Sequence, residues 1–288
     1  MKNILILGKG YIGSGLFEYI KIKEDISAEI KSKSELNYLD YSILDNYIFN
    51  AKAKGLDYII NCVGYTGRPN VEGCEYDKET CWKYNVNIPI LFTEIANHYD
   101  IPIIHVSSGC IYTGYEKDYS EEDEPNFGLY NNSSFYSKTK HACEISLKNT
   151  NSYIFRIRMP FSYKSSNRNY INKILQYDNL ISYKNSLTCV EDLNEFVYKF
   201  INLKDKPKFG IFNVLNSGSA TAKDVVNILQ KYKLENKNWK FLDQKEMNFK
   251  TPRSNCVLSV QKIEKLKLEL PNVIISLENS IKNFHNNL

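Results

Sequence analysis

At 288 residues the chain is long for a single hydrophobic core and suits a large α/β domain carrying a smaller one. It holds no run of about 18 apolar residues and enters an apolar stretch at once, which argues against a membrane span or a signal peptide and for a soluble, cytoplasmic protein. Its seven cysteines, without Cys-x-x-Cys spacing, fit reduced thiols and neither a disulfide framework nor a metal site; its net charge of +4, on scattered lysines, suits a small anionic substrate better than nucleic acid.

Residues 3–7 form a short apolar run leading into Gly8-Lys9-Gly10-Tyr11-Ile12-Gly13 and an amphipathic segment to about residue 21. Strand, glycine turn and helix in that order are the dinucleotide-binding fingerprint in its required context. Gly8 makes the tight turn, Gly10 lets the backbone approach a pyrophosphate, Gly13 permits close helix packing, and Tyr11 and Ile12 lie between them in the same cradle. A second strand is expected at residues 26–30. Lys31, Ser32 and Lys33 follow where an acidic residue would bind a ribose 2′-hydroxyl, so the loop favours NADPH and leaves NADH as the second choice. Asp40 precedes a helix expected at residues 42–54 and is either an adenine neighbour or a helix N-cap.

The third strand, at residues 56–63, runs out through Val63, Gly64 and Tyr65 on the edge that carries the glycine turn, where the nicotinamide half of a cofactor would extend. Arg68 and Asn70, just beyond, are substrate candidates or ordinary turn residues. A helix is expected over residues 80–99. Asn85 is a polar member of its apolar face, which either satisfies a backbone group or holds a water or the Lys140 side chain.

Residues 101–106 read as a buried strand that ends in the small polar residues Ser107-Ser108-Gly109-Cys110, at the carboxyl end where ligands of open α/β sheets bind. A polar loop at residues 116–132 is long enough for a mobile lid or a substrate-facing segment. Tyr136 and Lys140 then fall one turn apart on a helix expected over residues 135–148. An ammonium beside a phenol favours the phenolate, so Tyr136 is expected to exchange protons nearer neutrality than a free tyrosine, with Ser108 giving a second hydrogen bond to the same carbonyl oxygen. Arg156 and Arg158 alternate on the next strand, and a charge placed there needs an anionic partner. Arg158, at the carboxyl end, is the substrate candidate.

After residue 160 the βα rhythm breaks. A helix at residues 170–177 presents Lys173, and further helices and short strands follow to residue 284. The expected organisation is a Rossmann doubly wound parallel sheet over residues 1–160, with residues 186–214 returning to it, and a smaller substrate-binding lobe from residues 161–185 and 215–288.

Gly8-x-Gly10-x-x-Gly13, Ser108 and Tyr136-x-x-x-Lys140 resemble the extended short-chain dehydrogenase/reductases that work on nucleotide-linked sugars. Within that superfamily the stretches at residues 64–75, 108–112, 121–127, 135–140, 156–160 and 251–255 resemble the bifunctional 3,5-epimerase/4-reductases of UDP-rhamnose synthesis and, more distantly, the dTDP-4-dehydrorhamnose reductases. The resemblance implies a reductase triad of Ser108, Tyr136 and Lys140, Asn85 as its supporting amide, and Arg253 as a nucleotide or sugar contact. It implies as partner a UDP- or dTDP-linked 4-keto-6-deoxy sugar, and a homodimer. Ser stands at position 108 where the family often has Thr, which keeps the hydroxyl, and the loop after Tyr112 is short.

Cys110 separates the two family readings. Epimerisation at C3 and C5 needs a base on one face of the sugar, an acid on the other and a stabilised enolate oxygen. Cys110, its pKa lowered by nearby cations, is the expected base. The related GDP-fucose synthases resemble this chain at Ser-x-Cys and use a His as the acid; here Lys173 is the candidate. A plain 4-reductase, with Cys110 idle, and a non-catalytic reductase-like regulatory subunit are the alternatives.

Overall fold

The computed structural model describes residues 1–235, 237–247 and 249–285. From the amino terminus come β1 Lys2–Leu7, α1 Tyr11–Ile20, β2 Ile26–Lys31, α2 Tyr41–Ala53, β3 Leu56–Asn61, α3 Gly73–Tyr76, α4 Lys78–Trp82, α5 Ile88–His98, β4 Ile103–Ser108, α6 Phe135–Ser146 and β5 Ser152–Ile157. The remainder adds α7 Tyr170–Gln176, β6 Asn179–Ile181, α8 Val190–Asn202, β7 Gly210–Asn213, β8 Asn216–Ser217, α9 Ala222–Lys231, β9 Lys240–Leu242, α10 Gln261–Glu264, β10 Leu270–Asn272 and α11 Val273–His285.

Six strands form one parallel sheet in the order β2-β1-β3-β4-β5-β7. Parallel pairing requires crossovers, and these cover both faces, so the strands carry near-continuous apolar runs. On one face Ile4, Ile6, Phe155 and Phe212 pack with Leu16 of α1 and Phe196 and Phe200 of α8. On the other, Leu5, Leu7 and Ile59 pack with Leu44 and Ile48 of α2 and Phe92 and Ile95 of α5. The chain leaves β1 for β2 on one side and returns to β3 on the other, which opens a crevice at the carboxyl end of β1. A separate cluster, including Phe161, Ile171, Val225, Leu229, Leu277 and Ile281, joins α7, α9 and α11.

Two elements differ from expectation. The helix expected over residues 80–99 is interrupted by a π turn at Lys83–Asn87. Pro89 has no N–H to give the Asn85 carbonyl, so the α ladder cannot continue there and the backbone widens by one residue. The loop at residues 116–132 is not free to act as a lid. Buried Tyr119 pairs with Leu258, the Phe127 N–H donates to the Ile111 carbonyl at 2.9 Å, and the Tyr112 hydroxyl donates to the Asp123 carbonyl at 2.7 Å. Among the described residues no helix is long and apolar enough to cross a membrane.

Candidate active site

The turn after β1 has the shape of a nucleotide cradle. Gly8 has φ 106° and a Cβ there would lie 2.9 Å from the Val63 nitrogen, while a Cβ on Gly13 would lie 2.0 Å from the Gly8 carbonyl oxygen. Both positions therefore need glycine. Gly10 differs, because nothing lies within 4 Å of where its Cβ would be. Helix α1 begins there with no side-chain cap and no acidic residue in its first turn. Its unpaired N–H groups, including those near Tyr11 and Ile12, are the donor set that a pyrophosphate takes. The Tyr11 side chain turns inward instead: its hydroxyl is buried without a hydrogen-bond partner, and burial, then the Glu191 charge, push the phenol up.

The charged groups of the loop after β2 pair with one another. Lys31 pairs with Glu29 at 2.6 Å, and Lys33 is exposed. Ser32 donates from its N–H and its hydroxyl to Glu35, at 2.8 and 2.7 Å, and Lys9 of the glycine turn forms an ion pair with the same carboxylate. Lys9 first, and Ser32 after it, hold that carboxyl at about 2. The loop thus carries an acidic group, Glu35, four residues past the strand and just beyond Lys31, Ser32 and Lys33. Asp40 is the N-cap of α2, accepting from the Ile43 N–H at 3.1 Å, which leaves its adenine role without support.

At the end of β4 the catalytic candidates converge. Ser134 caps α6 by accepting from the Ser137 N–H at 3.1 Å, and the Ser137 hydroxyl donates to the Cys110 carbonyl at 2.8 Å. Those two bonds fix the helix against the loop. The Cys110 N–H donates to Ser108 Oγ at 3.4 Å, the Tyr136 phenol lies within electrostatic reach of Ser108 and Cys110, and the Lys140 ammonium lies 5.8 Å from the centre of the Tyr136 ring. Lys140 is 7 % exposed, yet among the described residues its ammonium has no hydrogen bond or ion pair. It lies beside Gly64, whose Cβ would be 3.6 Å from Nζ. Ribose hydroxyls of a cofactor in the adjoining cradle would give this ammonium the acceptors that the described residues do not. Gly8, Gly10, Gly13, Val63, Gly64 and Lys140 thus fit a dinucleotide.

Protonation states differ from the sequence expectation. Burial pushes the Tyr136 phenol well above 10, outweighing Ser108, so the resting group is a neutral phenol, as a proton donor must be. Burial also pushes the Cys110 thiol up. Hydrogen bonds from Ser108 and Ser137 and the charges of Arg158 and Lys140 pull the other way without prevailing, so the expected low pKa is absent at rest.

Asn85 acts on the backbone and not on Lys140. Its side chain accepts from the Tyr65 N–H at 2.9 Å and donates to the Tyr65 carbonyl at 2.8 Å and to Thr139 Oγ1 at 3.1 Å. Thr139 in turn donates to the Tyr136 carbonyl at 2.7 Å, so one amide ties the loop after β3 to the catalytic helix. Thr139 was not singled out in the sequence; its place inside Tyr136-x-x-x-Lys140 was the available signal.

The arginines separate. Arg156 makes a buried, bidentate pair with Glu144, with N···O contacts of 2.7 to 3.1 Å, and also donates to the Tyr112 hydroxyl at 3.0 Å. Glu144 lies one turn past Lys140 and was legible as a same-face partner. Arg158 is 4 % exposed, and both of its terminal nitrogens are taken up by Gly109, Asn185 and Ser254, which removes it as a direct substrate contact. Arg68 is exposed, and Asn70 accepts from the Glu72 N–H at 2.9 Å as a turn residue. Arg253 reaches that loop, pairing with Glu72 at 3.0 Å, and Arg168 donates to the Gly67 carbonyl at 3.0 Å. Lys173 faces both arginines; burial first, then their charges, lower its pKa. Among the described residues no cluster of His, Cys, Asp or Glu could hold a metal ion.

The profile of the RmlD substrate binding domain matches residues 1–286. The chain belongs to that family. It is similar to a bifunctional dTDP-4-dehydrorhamnose 3,5-epimerase/dTDP-4-dehydrorhamnose reductase of Arabidopsis thaliana, 32 % identical over 78 % of this chain and 75 % of the relative. A trifunctional UDP-glucose 4,6-dehydratase/epimerase/reductase of the same plant is 32 % identical over 97 % of this chain, which spans only 41 % of that relative's length. Among solved structures, the L780 UDP-rhamnose synthase of Acanthamoeba polyphaga mimivirus superposes with TM-score 0.86 at 23 % identity, covering 98 % and 99 % of the two chains. A Bacillus anthracis dTDP-4-dehydrorhamnose reductase in complex with NADP superposes with TM-score 0.83 at 17 % identity, over 100 % of both chains. These two likenesses establish the RmlD family's sheet and helix arrangement for this chain.

Proposed function

We propose that the chain reduces nucleotide-linked 4-keto-6-deoxy sugars with NADPH and also epimerises them at C3 and C5, converting UDP-4-keto-6-deoxy-D-glucose to UDP-L-rhamnose. The observation that carries this reading is the convergence of Ser108, Tyr136, Lys140 and Cys110 beside the glycine cradle. The plant bifunctional relative, the mimiviral synthase and the NADP-bound reductase support it. Gly8, Gly10, Gly13, the first-turn N–H groups of α1, Val63, Gly64, Tyr65 and Lys140 hold the cofactor, which when bound supplies the hydride. Arg168, Lys173 and Arg253 form a cationic group toward the substrate, and residues 161–185 and 215–288 make the lobe that binds it.

Ser108 and Tyr136 donate to the C4 carbonyl oxygen and draw charge onto it, which acidifies the protons on C3 and C5. Cys110, as thiolate, takes one of those protons while the C–H electron pair moves into an enolate held by the same two donors. Lys173 returns a proton from the opposite face; its lowered pKa makes the ammonium a better acid than a free lysine. In reduction Tyr136 gives its proton to the C4 oxygen, and Lys140 stabilises the phenolate left behind.

Tyr136→Phe should lower NADPH oxidation by about a hundredfold to ten-thousandfold, the usual contribution of a general acid. Cys110→Ser should abolish deuterium wash-in from D₂O at C3 and C5 while sparing reduction of a sugar already epimerised. Equal loss of both activities removes Cys110 from its role. Full reduction with no wash-in by the unaltered chain leaves a monofunctional dTDP-4-dehydrorhamnose reductase as the reading, and no NADPH oxidation with either sugar leaves a non-catalytic subunit.

A further inference from the structure

Two buried arginines leave β5, and the fold treats them differently. Arg156 meets a carboxylate, Glu144, in a bidentate pair. Arg158 meets only neutral acceptors. Its Nη1 donates to the Gly109 carbonyl at 2.9 Å and to Ser254 Oγ at 2.8 Å, its Nη2 donates to Asn185 Oδ1 at 2.5 Å and to the Ser254 carbonyl at 3.3 Å, and its buried Nε has no partner. Among the described residues no carboxylate pairs with it. A buried guanidinium held only by dipoles keeps most of its field and favours any anion that forms nearby.

The loop seated on this cation carries the proposed base. A Cβ on Gly109 would lie 3.2 Å from Arg158 Cγ and Cδ, so the peptide leading into Cys110 rests on the arginine stem. From α6, Cys110 faces Lys140 and Tyr136, and from the end of β5 it faces Arg158. Arg158 also acts on Tyr115, which is exposed, and on Cys256, which is fully buried. Of these groups Cys110 alone adjoins Ser108 and Tyr136.

We propose that Arg158 is the positioning residue of the epimerisation base: its unpaired charge beneath the Gly109–Cys110 peptide stabilises the thiolate that Cys110 must become to take a sugar proton. The inference rests on the role given to Cys110 above. The thiol loses its proton to solvent, the thiolate accepts the carbon-bound proton as the C–H pair enters the enolate, and Arg158 exchanges neither protons nor electrons.

The test sets a compensating charge on a partner that Arg158 already has; Asn185→Asp also gives up the Nδ2 donations to the Tyr183 carbonyl and Asn255 Oδ1, so its melting temperature is measured alongside. Asn185→Asp puts a carboxylate oxygen where Arg158 Nη2 already donates; Arg158→Met removes the cation and Arg158→Lys keeps it. The readouts on the full chain are the pH dependence of iodoacetamide alkylation at Cys110, resolved by peptide mass spectrometry, and wash-in from D₂O into UDP-4-keto-6-deoxyglucose. Asn185→Asp and Arg158→Met should move the alkylation profile up by about one pH unit, about tenfold less thiolate at a given pH, with Arg158→Lys near the unaltered chain. A profile that stays in place in an Asn185→Asp protein of unchanged melting temperature overturns the proposal. Should Asn185→Asp not fold, identical profiles for the Lys and Met variants overturn it. A shifted profile in a chain that shows no wash-in upholds the charge coupling and refutes the role of Cys110; an unshifted profile in a chain with Cys110-dependent wash-in does the reverse.

Discussion

Glu144→Gln isolates what the buried pair beneath the catalytic helix contributes. The substitution keeps the size of the side chain and removes its charge, leaving the Arg156 guanidinium, 2 % exposed, without its carboxylate. Breaking a buried pair from one side costs about 3–5 kcal/mol, because the remaining charge is uncompensated. At about 2–4 °C per kcal/mol for a chain of this size, the melting temperature should fall by roughly 6–20 °C. Reductase activity should fall as well, since Glu144 anchors α6 one turn past Lys140. The decisive comparison is the double variant Glu144→Leu/Arg156→Met, which leaves no buried charge and should recover most of the lost stability. Thermal denaturation of Glu144→Leu, Arg156→Met and their double variant, beside Glu144→Gln, checks this. A double variant as unstable as the sum of the two single changes would refute the reasoning, since the loss would then lie in packing and hydrogen bonds and not in a stranded charge.

Other perturbations follow from particular contacts. Asn85→Leu, which frees the loop after β3 and strands the Tyr65 backbone groups, should lower the reductase kcat about tenfold, the effect of a lost buried hydrogen bond, in steady-state assays. Glu35→Gln releases Lys9 and should shift the KM ratio of NADH to NADPH about threefold in favour of NADPH, the scale of one exposed ion pair. Buried His105, held between Asn61 and Thr93, has its pKa pushed down from 6.5 to about 3 by burial. The unfolded chain therefore binds more protons between those values, and the stability from the neutral ring, full above pH 6.5, should be lost as acid titration approaches pH 3. Because burial holds the Cys110 thiol above its usual range, wash-in at C3 and C5 should rise with pH through and beyond pH 9, as measured by deuterium incorporation.

Much of the site was legible because its chemistry lies in local spacing. Gly8, Gly10 and Gly13 follow a strand directly, and Tyr136 and Lys140 fall one turn apart whatever surrounds them. What the sequence hid depends on contacts distant along the chain or on burial. Arg158 and Arg156 alternate identically on one strand, yet one meets Glu144 and the other Ser254, 96 residues away. Cations near Cys110 were visible in the sequence, but the desolvation that outweighs them there, and that raises the Tyr136 phenol, was not. Arg253 was placed at the substrate by resemblance; its ion pair with Glu72, 181 residues earlier, emerges only when the chain folds. The interruption of the helix at Pro89 was the exception, a local signal left unread.

The most direct measurement supplies UDP- and dTDP-4-keto-6-deoxyglucose together with NADPH deuterated at its transferable position, in H₂O, and identifies the sugar formed. The expected result is consumption of the cofactor, deuterium at C4 and the rhamnose configuration at C3, C4 and C5, with the rate of reduction lowered at least about a hundredfold by Tyr136→Phe. Cofactor consumption that survives Tyr136→Phe undiminished, or a chain inert toward both sugars, would contradict the assignment of Ser108, Tyr136 and Lys140 to one carbonyl.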